Sequence, residues 1–478
     1  MIEEKINKSS KMYRKVRLSL KLSLNNCDDL MQFHNYKIIN TLGQGSFSKV
    51  YLAKNKHTNQ KVVLKKFIHS DSDGQAYDCL REIAHLKTLS HPNIISIIDI
   101  IQCQKIYAVL EYGGKTMKQY MQNYLKYPYL KSKHLYQLLS AVAYIHVYGI
   151  YHRDLKPENI LITSSEDVKL CDFGMSCKKM NNRYSPLIQT LYYRAPEILL
   201  SSSHYHSSVD IWSIGCIFAE MEKGIPLFTG RSEIGQLYEI FRLFGTPKEC
   251  IWASVTKWKI FPFWKGYDIK KILTDMGYFG LDLINQFLQY APEKRISAEN
   301  ALSHSYFNAR KTVSIPTTKE TQNQRIIKTQ NLQTILTSEQ RIVLVDWIFE
   351  MQINFNLQLS TIHLAVDYVN RILAVENVHI SKLQLIAIAS LMIAVKIEEI
   401  TYPDIDEYIN VCIGIYTGEE IREAEKLIAM TLDYYLIPLT PYELLKDASS
   451  EKLAKLKEMH RHIDTTKESP FEIVNRII

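Results

Sequence analysis

Four side chains between residues 154 and 172 have the types and spacing for moving a phosphoryl group. Asp154 is a carboxylate able to orient an attacking hydroxyl, and Lys156, two residues on, can neutralise the phosphate in flight. Asn159 and Asp172 are hard oxygen ligands suited to Mg²⁺. Phosphoryl transfer asks little covalent chemistry of a protein: a positioned nucleophile, a metal and a cation on the phosphates. The four sit in His152-Arg153-Asp154-Leu155-Lys156-Pro157-Glu158-Asn159, an apolar Ile160-Leu161-Ile162, a turn, and Asp172-Phe173-Gly174. Asp-Phe-Gly alone is a common chance match, and a polar loop before a hairpin is the bland alternative. His-Arg-Asp-x-x-x-x-Asn with Asp-Phe-Gly thirteen residues later is far more specific.

Such a set needs elements to hold it and to hold its phosphates. Upstream, Tyr36 to Lys66 reads strand, glycine turn, strand, with Leu42-Gly43-Gln44-Gly45-Ser46-Phe47-Ser48-Lys49-Val50 followed by Val62-Val63-Leu64-Lys65. Glycines let backbone N–H groups approach phosphates, and Lys65 on a hydrophobic strand turns a weak Gly-x-Gly signal into a strong one. Next, Leu80, Ile83 and Leu86 recur at helical spacing in Ala76 to Lys87. Taken alone, that is an amphipathic surface helix with a solvated Glu82.

Together these stretches resemble the eukaryotic protein kinases. Leu80-Arg81-Glu82-Ile83 before Leu89-Ser90-His91-Pro92-Asn93-Ile94 is similar to the regulatory helix of cyclin-dependent kinases. The likeness continues through Val109-Leu110-Glu111-Tyr112-Gly113, Thr190-Leu191-Tyr192-Tyr193-Arg194-Ala195-Pro196-Glu197, Val209-Asp210-Ile211-Trp212, Phe244-Gly245-Thr246-Pro247 and Lys294-Arg295-Ile296-Ser297. It spans residues 36–307 without a large gap. The resemblance implies ATP and Mg²⁺ as cofactors, Asp154 as base, Lys65 on the phosphates and Glu82 paired to Lys65. It assigns Leu42, Gly43, Gly45, Val50, Val63, Leu110, Glu111, Gly113 and Leu161 to ATP, with Leu110 as gatekeeper, and it pairs Glu197 with Arg295. Leu187, Ile188 and Gln189, supported by Arg194, stand where the family selects proline after a target Ser or Thr.

Three positions depart from the subfamily. Its inhibitory Thr-Tyr pair is Ser46-Phe47 here, so tyrosine phosphorylation there is impossible. Its activating threonine falls on Ser185. Of the three arginines that clamp that phosphate, Arg81 and Arg153 are present and the third aligns with Cys177, which weakens the clamp.

Residues 308–336, rich in Thr, Gln, Asn and Lys, read as a linker. Thr337-Ser338-Glu339-Gln340 then opens a helix with a capping-box pattern, as does Thr417-Gly418-Glu419-Glu420. Helical stretches are expected over Thr361–Ala374, Lys382–Glu398, about Pro403–Val411 and Glu419–Thr431, the almost wholly apolar second of these at the centre. Leu344-Val345-Asp346-Trp347, His363-Leu364-Ala365-Val366, Lys382-Leu383-Gln384-Leu385 and Ala394-Val395-Lys396-Ile397-Glu398-Glu399-Ile400 together resemble a cyclin box over 337–436. That likeness implies that Lys396 and Glu425 hold the backbone before the regulatory helix and that Glu398 meets a basic residue after the phosphosite. It also implies that Val343, Leu344, Trp347 and Gln384 line a peptide-docking groove, where Gln340 replaces an apolar residue.

Composition closes off other classes. Eight scattered cysteines without a Cys-x-x-Cys pair suit reduced thiols in a cytoplasmic or nuclear protein and no zinc site. The N-terminus has no apolar core of a secretory signal, and the longest apolar run, Leu385–Val395, is too short for a bilayer. Of the net charge of +8, residues 1–35 supply +3 and 308–336 supply +4, so no specific nucleic-acid binding is expected. The expected architecture is an α+β bilobal protein kinase fold followed by an all-α cyclin-box domain. Its parts are a basic extension (1–35), kinase (36–307), linker (308–336), cyclin box (337–436) and C-terminal helical extension (437–478). The expected function is an ATP-dependent Ser/Thr kinase directed to Ser/Thr-Pro sites in proteins, activated through an intramolecular kinase–cyclin contact. The rival is a cyclin-like scaffold acting in trans on a separate cellular kinase, or a kinase half served by a separate cyclin.

Overall fold

Strand-forming and helix-forming stretches segregate along the chain, and the fold follows that order. The computed structural model describes residues 35–45, 48–67, 76–102, 105–127, 129–178, 189–202, 205–247, 262–310, 337–376, 378–399, 401–438, 440–445 and 450–462, with Ile473 and Arg476. Ser46, Phe47, Ser185, Leu187, Ile188, residues 1–34 and most of the linker lie outside the described residues. The chain divides into two compact units, Met1–Cys79 with Ile95–Gly113, and Leu80–Ile94 with Gly114–Ile478.

The first unit is an antiparallel sheet of β1 (Tyr36–Gln44), β2 (Ser48–Asn55), β3 (Lys61–Phe67), β4 (Ile97–Gln102) and β5 (Ile106–Glu111), in the order β1-β2-β3-β5-β4. Alternation along the strands sends Tyr51, Ala53, Val62, Leu64 and Val109 to one face, where they pack with Tyr36 as a core. The other face carries Val50 opposite Lys65, Lys65 opposite Ala108, and Val63 opposite Leu110. Five residues expected at a nucleotide thus lie on adjacent strands of one sheet, because Gly43 also pairs with Val50. A Cβ at Gly43 would meet nothing within 4 Å among the described residues.

The second unit starts within helix α1 (Ala76–Thr88) and resumes after the sheet. Its centre is α2 (Tyr129–Val147), apolar and buried at Leu135, Leu138, Leu139, Val142 and Ile145. Around it lie α3 (Ser208–Lys223), α4 (Glu233–Phe244) and α5 (Tyr278–Phe287). Short strands β6 (Lys115–Thr116), β8 (Ile160–Ile162) and β9 (Val168–Leu170) pair with one another, and β7 (Ile150–Tyr151) pairs with β10 (Cys177–Lys178). Gly114, at φ 93°, lets the chain pass against β8, since a Cβ there would lie 2.0 Å from the Ile162 carbonyl oxygen.

Helices α6 (Ser338–Asn354), α7 (Leu359–Val375), α8 (Leu383–Glu398), α9 (Ile405–Val411) and α10 (Gly418–Thr431) form the C-terminal domain. Two more, α11 (Pro441–Leu445) and α12 (Ser450–His462), follow. Every residue of α8 from Leu385 to Glu398 is buried, as an all-round apolar helix must be. Ile380–Glu398 is long and apolar enough to cross a membrane by length and composition, yet most of it is enclosed by neighbouring helices. Both capping boxes form, with Thr337 reciprocated by Gln340 and Thr417 by Glu420. Gln340 therefore has a local reason to be polar, since its side chain closes the cap of α6.

Candidate active site

The loop after β7 is fixed from below by a carboxylate. Asp210, fully buried in α3, accepts the backbone N–H groups of His152 and Arg153, each at 2.9 Å, and pairs with His146 Nε2 at 2.9 Å. Burial works to raise its pKa, but these partners outweigh it and hold the carboxylate below its ordinary range. The grip matters because Arg153 has φ 64° and Asp172 φ 65°, left-handed values that cost a non-glycine residue about 1–3 kcal/mol each.

Held this way, Asp154 becomes the hub of a closed polar network. Its Oδ2 accepts from Lys156 Nζ at 2.7 Å and Asn159 Nδ2 at 3.0 Å. Its Oδ1 accepts from the Thr190 N–H at 3.1 Å and the Thr190 hydroxyl at 2.9 Å, and Lys156 Nζ also donates to that hydroxyl at 3.0 Å. Asn159 spends its nitrogen on Asp154, so its amide oxygen is the atom left to face a cation. The Cys171 N–H donates to the Asn159 carbonyl at 3.0 Å, which brings Asn159 against the segment entering Asp172. An amide oxygen and a carboxylate suit a divalent cation, and two protein donors are the number used when nucleotide phosphates complete the shell. Lys65, on β3, is described within the first unit; Glu82, on α1, belongs to the second and is buried. A Cβ built on Gly174 would stand 3.5 Å from Glu82 Oε2 and 3.6 Å from Asp172 Oδ1, so both carboxylates border that glycine. Leu161 lies on β8 opposite Thr116; Leu42 is exposed on β1; Gly45 donates its N–H to the Ser48 carbonyl at 2.8 Å.

Downstream, Gln189 has φ 64°, and its carbonyl accepts from Arg194 Nε at 3.2 Å and Nη2 at 2.9 Å. Arg295 makes the expected bidentate pair with Glu197, at 2.6 and 2.7 Å, fully buried. The two clamp arginines serve neutral oxygens. Arg153 donates to the Met175 carbonyl at 2.7 Å and the Tyr205 hydroxyl at 3.2 Å. Arg81 Nη2 donates to the carbonyls of Lys396 at 2.8 Å and Glu399 at 3.1 Å, both at the C-terminal end of α8. Cys177 is buried beside them, and burial raises its thiol pKa.

On the helical domain, Lys396 Nζ and Glu425 Oε1 meet at 2.5 Å, almost enclosed. Glu398, near the end of α8, is about as enclosed as Asp154, and its charge acts on the Tyr442 phenol of α11. Val343 is 69 % exposed, Leu344 is buried, and Trp347 and Gln384 are half-buried. Sequence reasoning gave no role to Asp210, to the Thr190 hydroxyl or to Arg81 as a donor to α8. Asp210 sat in a quoted motif; the carbonyl acceptors of Arg81 leave no side-chain signal at all.

Residues 36–307 match the protein kinase domain family, and 311–437 match the cyclin N-terminal domain family. The chain belongs to the protein kinases. More narrowly, it is a cyclin-associated protein kinase, with a kinase domain and a cyclin domain in one polypeptide, and its family uses ATP and a divalent cation on protein substrates.

Proposed function

We propose that this chain is a Ser/Thr kinase directed to Ser-Pro and Thr-Pro sites and switched on by its own cyclin domain. The observation that carries the reading is the guanidinium of Arg81, which joins α1 to the end of α8 within one chain. α1 carries Glu82 one residue further on, so whatever holds Arg81 holds Glu82. Lys87 and Asp433 add an ion pair at 2.9 Å across the same contact. In this reading the cyclin box (337–436), its Lys396–Glu425 pair included, is the wedge, and the kinase domain is 36–307.

Within the kinase, Asp154 orients the substrate hydroxyl and takes its proton, while Lys156 stabilises charge on the transferred phosphate. Asn159 and Asp172 hold Mg²⁺ when it is bound, and the metal neutralises the phosphate oxygens. Lys65 holds the ATP phosphates, with Glu82 as its counter-ion in the family pattern. Leu42, Val50, Val63, Leu110 and Leu161 supply apolar walls for adenine, with backbone groups of Glu111 and Gly113 at its edge. The preference for proline rests on Gln189: its carbonyl is spent on Arg194, so a residue bringing an N–H there would leave it unpaired. Proline has no N–H to lose.

The test is ATP-Mg²⁺ turnover by the full chain, against Asp172→Asn, on matched Ser-Pro and Ser-Ala peptides. Activity abolished by Asp172→Asn, restricted to the Ser-Pro peptide and constant in specific activity across a hundredfold dilution is expected. Equal use of both peptides would refute proline direction. Activity that falls on dilution, or survives in a 1–310 truncation, would refute activation within one chain.

A further inference from the structure

One buried contact between α1 and the Asp-Phe-Gly segment involves no charge pair and no residue of the catalytic set. His85, 1 % exposed on α1, lies with Nδ1 at 2.5 Å from the hydroxyl of Ser176, which is itself fully buried. That hydroxyl donates to the Phe173 carbonyl at 2.5 Å, and the Ser176 N–H donates to the same oxygen at 3.1 Å. A hydroxyl has one proton; with that proton on Phe173, the imidazole is the donor, so the ring carries its hydrogen on Nδ1. Burial first, then the charges of Arg81, Lys178 and Arg153, hold the His85 pKa well below its ordinary value, so the ring stays neutral.

We propose that His85 is a positioning residue, tying the Asp-Phe-Gly segment to the helix that carries Glu82 through the Ser176 hydroxyl. The chain of atoms is short and directional. It runs from α1, through one hydroxyl, to the backbone carbonyl of the residue immediately after Asp172. Asp172 is in a left-handed conformation that its surroundings must enforce. One turn earlier on α1, Glu82 borders Gly174. A shift of α1 therefore drags the Asp172 backbone with it, and the two parts move as one body. With Cys177 next in the chain, where the subfamily has its third clamp arginine, a hydrogen bond one residue away supplies registry that an arginine–phosphate pair would supply by charge.

The proposal rests on the kinase reading, and the experiment separates the two. The full chain, Ser176→Ala, His85→Leu, His85→Asn and the His85→Leu/Ser176→Ala double variant are compared by steady-state kinetics with ATP-Mg²⁺ and a Ser-Pro peptide. Amide hydrogen exchange is read over 80–90 and 168–178 in the same proteins. Ser176→Ala and His85→Leu should each lower kcat about tenfold, because a buried polar group loses its partner, with peptide KM within about twofold. The double variant should be no worse than the poorer single, and His85→Asn, which keeps a donor near the Nδ1 position, should retain more than half of kcat. Exchange should quicken in both segments in either single variant. Losses that multiply in the double variant, kcat unmoved in the singles, or His85→Asn as impaired as His85→Leu would overturn it. A wild-type chain without transfer would sink the kinase reading instead. The exchange data would then stand alone, and quickening confined to the substituted segment would end the proposal.

Discussion

The catalytic loop and the contact between α1 and the cyclin domain are held by opposite arrangements. In the loop, backbone N–H groups of His152 and Arg153 converge on one buried carboxylate, Asp210. At the contact, one guanidinium on Arg81 reaches two backbone carbonyls, of Lys396 and Glu399, where α8 ends and its carbonyls lack helical partners. The first fixes a conformation that is strained without it. The second takes up acceptors that a helix terminus presents to any donor, reinforced by the negative end of the helix dipole. A strained loop with a charged anchor should fail outright when the anchor goes; a docked helix should loosen by degrees.

The largest effect should therefore come from Asp210. Asp210→Ala leaves two buried N–H groups and a histidine unpaired beside a left-handed arginine, and should cost about 3–5 kcal/mol of kinase-domain stability. Loss of peptide phosphorylation by more than about a hundredfold should accompany it. Melting temperature and kcat are the measurements, and an Asp210→Ala enzyme within threefold of wild type would break the comparison. Lys396→Ala should come next. It strands Glu425, about 7 % exposed, and should lower stability by about 3 kcal/mol, read from the thermal unfolding of the full chain. Arg81→Ala should cost about tenfold in kcat without a matching fall in melting temperature, and Arg81→Lys should not restore it, because both bonds are made by the outer nitrogen Nη2, one bond further from the backbone than a lysine ammonium.

The same contrast governs how much was legible in the chain. Asp154, Asn159 and Asp172 were visible because phosphoryl transfer dictates their types and a short loop dictates their spacing. The helices around α8 were visible because an apolar run between capping boxes has few other uses. The Arg81 contact was hidden, since it ends on carbonyls, which every residue has. His85 and Ser176 were hidden for a related reason: each is an unremarkable polar residue until the fold brings them together across 91 positions. The neighbourhood of Glu398 and Tyr442 was hidden as well, because α11 lies beyond the reach of the cyclin-box pattern.

Acid should sharpen the comparison from another side. In the cyclin domain, His363 stacks on Tyr442 at 4.7 Å and lies 5.2 Å from His460 of α12, and neither ring has a hydrogen-bond partner among the described residues. Burial, then Arg341, pushes His460 down to about 3; burial, then His460 and Lys457, holds His363 well below its usual value. Both are neutral when folded and titrate near 6.5 when unfolded, so the unfolded chain binds more protons below that pH. Their contribution is full above about pH 6.5 and is lost as pH falls towards about 3, at up to about 1.4 kcal/mol per pH unit for each ring. Melting of the cyclin domain followed from pH 7.5 to 5.5 should show this fall, and His460→Phe should flatten it. An unchanged slope in His460→Phe would mean that the stacked imidazoles are not what acid attacks.

The smallest effect should come from Lys87, and its smallness carries weight. Lys87 and Asp433 meet at 2.9 Å, as close as Arg81 to its carbonyls, and they join the same two parts of the chain. The Asp433 side chain is 76 % exposed, however, so water and salt screen the pair, and exposed ion pairs contribute about 0–1 kcal/mol. Lys87→Ala should change kcat by less than about twofold and leave the melting temperature within about 1 °C of wild type. Its residual effect should vanish in high salt, whereas that of Arg81→Ala should persist, because the Arg81 contact is the more enclosed. The measurement is kcat for both variants at low and high ionic strength. If Lys87→Ala is as damaging as Arg81→Ala, α1 is held by surface charge, and the guanidinium at the end of α8 is not what organises the contact.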